Sequence, residues 1–236
     1  MSETAVLSVN RLNKHFGGIV AVKDMTFEVQ AGEVLGLMGP NGAGKTTLLN
    51  LIAGVYPPDS GRVLFQGKDI TRRAPHKICH LGIARTYQIP QPFTHLLVRD
   101  NLRVAATYGS KEGNMSKLDE ILDLVDLSKQ KAVPAGDLAT VSLKRLELAR
   151  ALATNPTLIL LDEVAAGSTD AELPRILDII RQLRKMGKTI ILVEHVMKVM
   201  VEAVDRIVVM DKGEKIAEGT PGEVMKDDKV IAAYFG

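Results

Sequence analysis

The clearest chemistry in this chain sits in nine residues, "GPNGAGKTT", from Gly39 to Thr47. They fit the pattern G-x-x-x-x-G-K-S/T, with Gly39, Gly44, Lys45 and Thr46 at the fixed positions. Pro40, Asn41, Gly42 and Ala43 fill the loop, and Thr47 follows it. Glycines let backbone N–H groups converge on phosphate oxygens, and the N-terminus of the following helix adds a favourable dipole. Lys45 is placed to reach the β- and γ-phosphates of a nucleotide. The Thr46 hydroxyl is placed to ligate Mg²⁺.

A second stretch supplies acids. "LILLDE" ends in Asp162 and Glu163. A carboxylate at the end of a buried strand is the usual place for a ligand-binding acid in an open α/β sheet. Asp162 is expected to hold Mg²⁺, and Glu163 to act as general base on an attacking water. Neither acid says much alone; their pairing with the phosphate loop carries the reading.

Elements must bring these pieces together. "EVLGLM" (Glu33 to Met38) is a short apolar run that enters the glycine loop. "KTTLLNLIA" leaves it as a helix stopped by Gly54. "MTFEV" (Met25 to Val29) alternates like a half-buried strand. Three β-rich runs follow later: "LILL", "TIILV" (Thr189 to Val193) and "RIVVM" (Arg206 to Met210). Buried parallel strands read this way. Leu173, Ile176, Ile180 and Leu183 keep helical spacing between the first two, giving a βαβ arrangement. Thr220, Pro221 and Glu223 form a capping box that opens the last helix. From about Pro90 to Asn155 no strong strand is visible. Leu118, Ile121, Leu122 and Val125 share one helical face, and Leu143, Leu146 and Leu152 another. A helical insert in an α/β core is expected.

Bulk numbers narrow the class. The chain has 236 residues, enough for one large domain or a core with an inserted subdomain. Hydrophobic residues reach 46%, which supports a real core, and charged residues 25%, which disfavours long disordered tracts. Net charge is +2, so no nucleic-acid partner is expected. A lone cysteine, Cys79, permits no internal disulfide and fits a reducing compartment. The opening "MSETAVLSVNR" lacks a basic-then-apolar signal pattern. No apolar run approaches the roughly 20 residues of a membrane span. Contact with a membrane is therefore expected to go through a partner.

These motifs, with three more, resemble the ATP-binding subunit of an ABC transporter along essentially the whole chain. Gln88 in "ARTYQ" matches the family's glutamine loop, which senses Mg²⁺ and contacts the membrane subunit. His195 in "ILVEH" matches the switch histidine that contacts the γ-phosphate. Phe16 in "KHFGG" matches the aromatic that stacks on adenine. The resemblance implies a P-loop, RecA-like core with an N-terminal antiparallel β subdomain and an inserted α-helical subdomain. Residues 1–89 and 156–236 would form the core, and 90–155 the insert. It also implies ATP and Mg²⁺, the ion held by Thr46, Gln88 and Asp162. Glu163 and His195 would be catalytic. "DITRRAPHKICHLGIARTYQIPQPF" and "GEKIAEGTPGEV…VIAAYFG" resemble the ATPases of branched-chain amino acid importers. Such subunits lie on the cytoplasmic face of the inner membrane, under two permease subunits fed by an external binding protein. A second ATP-binding subunit, identical or different, completes the dimer.

The chain departs from that family in its signature and D-loop, and at two single positions besides. The signature L-S-x-G-Q should begin at Leu138, so its Ser falls on Ala139, its Gly on Val141 and its Gln on Ser142. The signature helix is expected from Leu143 on. Thr169 stands where an Asp or Asn usually crosses the dimer interface. Val164 replaces the proline after the catalytic Glu, and Val196 an Asp after the histidine. In this family both altered loops serve the neighbour's nucleotide, which points either to an asymmetric pair or to a subgroup variant with compensations elsewhere. Two other readings remain open. A soluble ABC protein acting on DNA or ribosomes usually has two cassettes or a long coiled coil. A regulatory subunit would bind ATP with little turnover.

Overall fold

The computed structural model describes residues 5–109 and 115–235. Residues 1–4 of the opening stretch and the final Gly236 of "VIAAYFG" lie outside the described residues. In chain order the elements begin with strands β1 (Leu7–Phe16), β2 (Ile19–Val29) and β3 (Val34–Met38), then helix α1 (Lys45–Ile52). Strands β4 (Ser60–Phe65) and β5 (Lys68–Asp69), helix α2 (Pro75–Leu81) and strand β6 (Ile83–Arg85) follow. Helices α3 (Val98–Tyr108), α4 (Leu118–Leu124) and α5 (Thr140–Ala153) come next. The chain closes with β7 (Leu158–Asp162), α6 (Leu173–Lys185), β8 (Thr189–Val193), α7 (Met197–Ala203), β9 (Arg206–Asp211), β10 (Glu214–Gly219), α8 (Pro221–Val224) and α9 (Asp228–Phe235).

Two sheets result. One is antiparallel, in the order β2-β1-β4-β5. The other runs β10-β9-β3-β8-β7-β6, with every pair parallel except β9 and β10. The apolar runs explain the second sheet. Leu158, Leu160, Ile191, Val193, Val208 and Met210 pack with α1 and the antiparallel sheet. Ile159, Leu161, Ile190, Leu192, Ile207 and Val209 pack with the helical layer that includes α3, α5 and α6. Strands buried on both faces need continuous apolar runs, and each such Leu, Ile or Val stabilises by roughly 1.5–3 kcal/mol. The long β1–β2 hairpin extends well beyond "MTFEV".

Two helical expectations need correction. The signature helix α5 starts at Thr140, three residues before Leu143, with Ala139 as its N-cap. The Leu143 N–H already donates to the Ala139 carbonyl at 2.9 Å. A missing serine removes a side-chain cap but not the backbone's ability to turn, so the helix forms anyway. The capping box is present: Glu223 Oε2 accepts from the Thr220 N–H and hydroxyl, both at 2.8 Å. Yet α8 ends at Val224, and α9 is a separate helix whose opening N–H groups at Lys229 and Val230 reach Asp227. Among the described residues no helix is long and apolar enough to cross a membrane.

A nucleotide-sized cleft and the family it belongs to

The glycine loop fills the turn between β3 and α1, at the carboxyl ends of the parallel strands. Its glycines are required by space as well as by dihedral angle. Gly39 has φ +148, and a Cβ there would lie 2.1 Å from the Met210 carbonyl oxygen. Gly44 has φ +103, and its Cβ would lie 2.1 Å from the Ala21 oxygen. No L side chain fits either position. Gly42, at φ +80, meets nothing within 4 Å, leaving open space beside the loop. The Gly39 N–H is held by the Tyr234 hydroxyl at 2.9 Å, so α9 braces the loop's entrance.

Lys45 is buried at the start of α1. Its Nζ donates to the Gly39 oxygen at 2.7 Å and the Pro40 oxygen at 2.9 Å. Burial pushes its pKa down, while the Glu163 and Asp162 charges push it back up. Those two carbonyls keep the ammonium beside the loop, where a phosphate can compete for it.

The acids diverge in their surroundings. Asp162 closes β7 and is only 2% exposed. Burial raises its pKa despite the Arg85 guanidinium, whose Nη2 lies 3.2 Å from Oδ2. Its other oxygen, Oδ1, is buried with no hydrogen-bond partner among the described residues. An orphaned carboxylate oxygen is what a divalent cation or its water satisfies. One carboxylate, a Thr46 hydroxyl and substrate phosphates make the usual donor set for Mg²⁺, so the residues fit that ion.

Glu163 is held quite differently. It has φ +52, a conformation costly for a non-glycine residue and concentrated at functional sites. Its Oε2 accepts from Gln88 Nε2 at 2.7 Å, and its Oε1 lies 3.0 Å from His195 Nε2. Its backbone is fixed too. The Glu163 N–H donates to Val193 at 2.9 Å, and Lys144 Nζ donates to the Glu163 and Ala166 carbonyls at 3.1 and 2.5 Å. The cleft beside them, about 370 Å³, is lined by Asn41, Gly42, Ala43, Gly44, Lys45, Thr46, Thr47, Gln88, Glu163 and His195, with Ile19–Ala21 on the hairpin side.

Phe16 stands outside that lining. It ends β1, half exposed, with its ring 5.2 Å from Tyr56 in an edge contact and Lys14 Nζ 5.3 Å away. An exposed aromatic face on the hairpin that borders the cleft can stack a flat base. Asp59 secures this corner, accepting from the His15 N–H at 2.6 Å and from Lys14 Nζ at 3.1 Å. The His15 N–H and then Lys14 hold the Asp59 carboxyl down at about 2. A depressed carboxylate pKa adds stability above its unfolded value, near 4, and loses it as pH falls toward 2. Asp59→Asn is therefore expected to lower the urea midpoint at pH 6. The gap to wild type should close between pH 4 and pH 2. A gap that stays constant down to pH 2.5 would refute the assignment.

The site thus gathers the loop, Gln88, Glu163 and His195 around one opening. It places Asp162 just beneath them and Phe16 at the edge. Sequence reasoning missed Arg85, Lys144, Glu194 and Tyr234. Arg85 and Glu194 carried a faint signal, each being a charge at the end of an apolar strand run.

Comparison with known proteins settles the family. The family model described as "ABC transporter" matches residues 22–166, which include the loop, Gln88, Asp162 and Glu163. The chain belongs to the ABC transporter family. A second model, "Branched-chain amino acid ATP-binding cassette transporter", matches residues 214–236 of this cassette. The cassette is 36% identical to the probable branched-chain amino acid transport ATP-binding protein LivG of Archaeoglobus fulgidus, over 98% of this chain and 95% of that protein. It is 35% identical to the high-affinity LivG of Escherichia coli K12, covering 98% of both chains. Among solved structures, a nucleotide-free ATP-binding cassette from an ABC transporter superposes with TM-score 0.90, at 32% identity over 99% of this chain and 100% of that one. The ADP conformation of such a cassette gives TM-score 0.87 at 33% identity, over 99% of both chains. The fold is therefore the P-loop cassette with its antiparallel sheet and helices. The cassette is the ATP-binding subunit of an ABC transporter, an ATPase coupled to transport.

Proposed function

We propose that this cassette powers an importer of branched-chain amino acids or related small polar solutes. It would sit on the cytoplasmic face of the inner membrane, beneath two permease subunits served by an external binding protein. The observation that carries the proposal is the capture of Glu163 between Gln88 and His195 at the opening of the phosphate loop. The likeness to LivG proteins along 98% of the chain supports the substrate class.

Each residue has a task in this reading. Backbone N–H groups from Gly42 to Thr47, with Lys45, bind the β- and γ-phosphates. Phe16 stacks on adenine. Thr46, Gln88 and Asp162 would hold Mg²⁺, which when bound would supply charge neutralisation on the phosphate oxygens. Glu163 takes a proton from the attacking water, and His195 steadies Glu163 and the γ-phosphate. Residues 1–89 and 156–236 form the nucleotide core. The stretch 90–155 is the helical insert that faces the permeases.

The second ATP-binding subunit is a different chain. The start of α5 offers Ala139 and Val141 where a hydroxyl and a glycine serve the neighbour's phosphate. Each charge-assisted bond lost weakens that contact by roughly 1.5–3 kcal/mol, about tenfold or more. This chain's own ATP site keeps all its groups and is completed by the partner. The cassette alone is therefore expected to hydrolyse ATP at least ~10-fold more slowly than its mixture with the second ATPase of the same transporter. Phosphate release, measured for each chain and for the mixture, tests this. Full activity of the cassette alone, unchanged by the partner, would remove the asymmetric pair.

A further inference from the structure

Glu194 is a buried carboxylate that none of the tasks above uses. It follows β8 and precedes His195, and it is only 2% exposed. Its Oε1 accepts the Ala165 N–H at 2.5 Å. Its Oε2 accepts the His195 N–H at 3.2 Å. One side chain thus joins two loops that are separate in sequence. Ala165 lies two residues beyond Glu163, inside the turn that holds Glu163 at its positive φ.

The chemistry of the pairing is directional. The turn's Ala165 N–H meets the Glu194 carboxylate. The Glu163 and Ala166 carbonyls meet the Lys144 ammonium. A turn fixed by an anion at its donors and a cation at its acceptors has little freedom to rotate. A carboxylate is an expensive choice for a core position next to Ile190, Ile191, Leu192 and Val193, because burial disfavours its charge. Two backbone N–H groups, one from each loop, offset that cost and set its orientation.

We infer that Glu194 is a positioning residue for ATP hydrolysis. It fixes the His195 loop to the Glu163 turn, so that imidazole and carboxylate remain 3.0 Å apart. Glu194 touches no nucleotide; it acts through these two residues, and the inference rests on the roles proposed for them. ATP binding depends on the glycine loop and Lys45, which Glu194 does not contact. Its loss therefore separates turnover from binding. A purely packing role moves stability and binding together.

Glu194→Gln keeps the size and replaces one acceptor oxygen with an NH₂ group, so one of the two N–H groups loses its partner. In the dimer with the second ATPase subunit, kcat is expected to fall about 10- to 100-fold, since small misplacements of reacting groups cost this much. KM for ATP should stay within about twofold, while Tm falls by a few degrees for the one buried N–H left unpaired. If this variant does not fold, Glu194→Asp replaces it, keeping the charge but drawing it back by one methylene; the same split is expected. Glu163→Gln is assayed in parallel. If Glu163→Gln abolishes turnover while kcat survives at Glu194, the link between the loops is wrong. A fall in ATP affinity and Tm that matches the fall in kcat also overturns it. If Glu163→Gln itself leaves turnover intact, the roles assigned to the site are wrong instead.

Discussion

Glu163→Gln is expected to leave a cassette that holds ATP and turns it over at least ~100-fold more slowly. A positioned general base contributes 10²- to 10⁴-fold. The amide keeps the carboxylate's size but cannot take a proton from water. The backbone supports stay in place, because Val193 and Lys144 bind main-chain atoms of residue 163. Binding should therefore survive the loss of chemistry. Single-turnover assays with labelled ATP read both: nucleotide retained on the assembled dimer and phosphate not released. Turnover within about threefold of wild type would show that another group takes the proton.

Lys45→Ala is expected to abolish useful nucleotide binding without unfolding the protein. The ammonium now rests on two loop carbonyls and is lowered in pKa by burial, so its charge is held at a cost. Removing it leaves those carbonyls short of donors but removes a buried charge as well. With phosphate, the loss is larger. Two charge-assisted bonds at roughly 1.5–3 kcal/mol each weaken ATP by about 100-fold or more. Thermal shift separates the effects. MgATP at about 100 times the wild-type Kd stabilises wild type by roughly 2.7 kcal/mol. The same concentration gives the variant about 0.4 kcal/mol when its Kd is 100-fold weaker. For a chain of this size, each kcal/mol shifts Tm by about 2–4 °C. A variant that keeps the full nucleotide shift would remove Lys45 from the phosphate site.

The phosphate loop and the buried strands were legible because their physics is local. A glycine loop between an apolar strand and a helix reads from nine residues. β7, β8 and β9 read from unbroken aliphatic runs. β1 was not legible. Its apolar Leu7, Val9 and Leu12 fall out of step where register shifts meet Arg11 at φ +43. Period-2 counting fails across such a bulge. The start of α5 was missed for a related reason. A lost cap residue weakens the boundary signal, while the helix is set by packing of Leu146, Ala149 and Leu152 in the core. The roles of Arg85, Lys144 and Glu194 were not legible for a third reason. Arg85 meets side chains 35 and 77 residues away, and Lys144 and Glu194 reach backbone atoms 19 to 29 residues away, which no local pattern encodes.

Lys144 gives the altered signature segment a consequence of its own. It sits one turn into α5, and its ammonium grips the carbonyls on either side of the Glu163 turn. The start of α5 is therefore bolted to the turn that carries Glu163. That turn cannot shift without dragging the helix along or breaking both bonds. Ala139 and Val141 alter the segment proposed to grip the neighbour's phosphate. They left intact its mechanical tie to the chemistry at home.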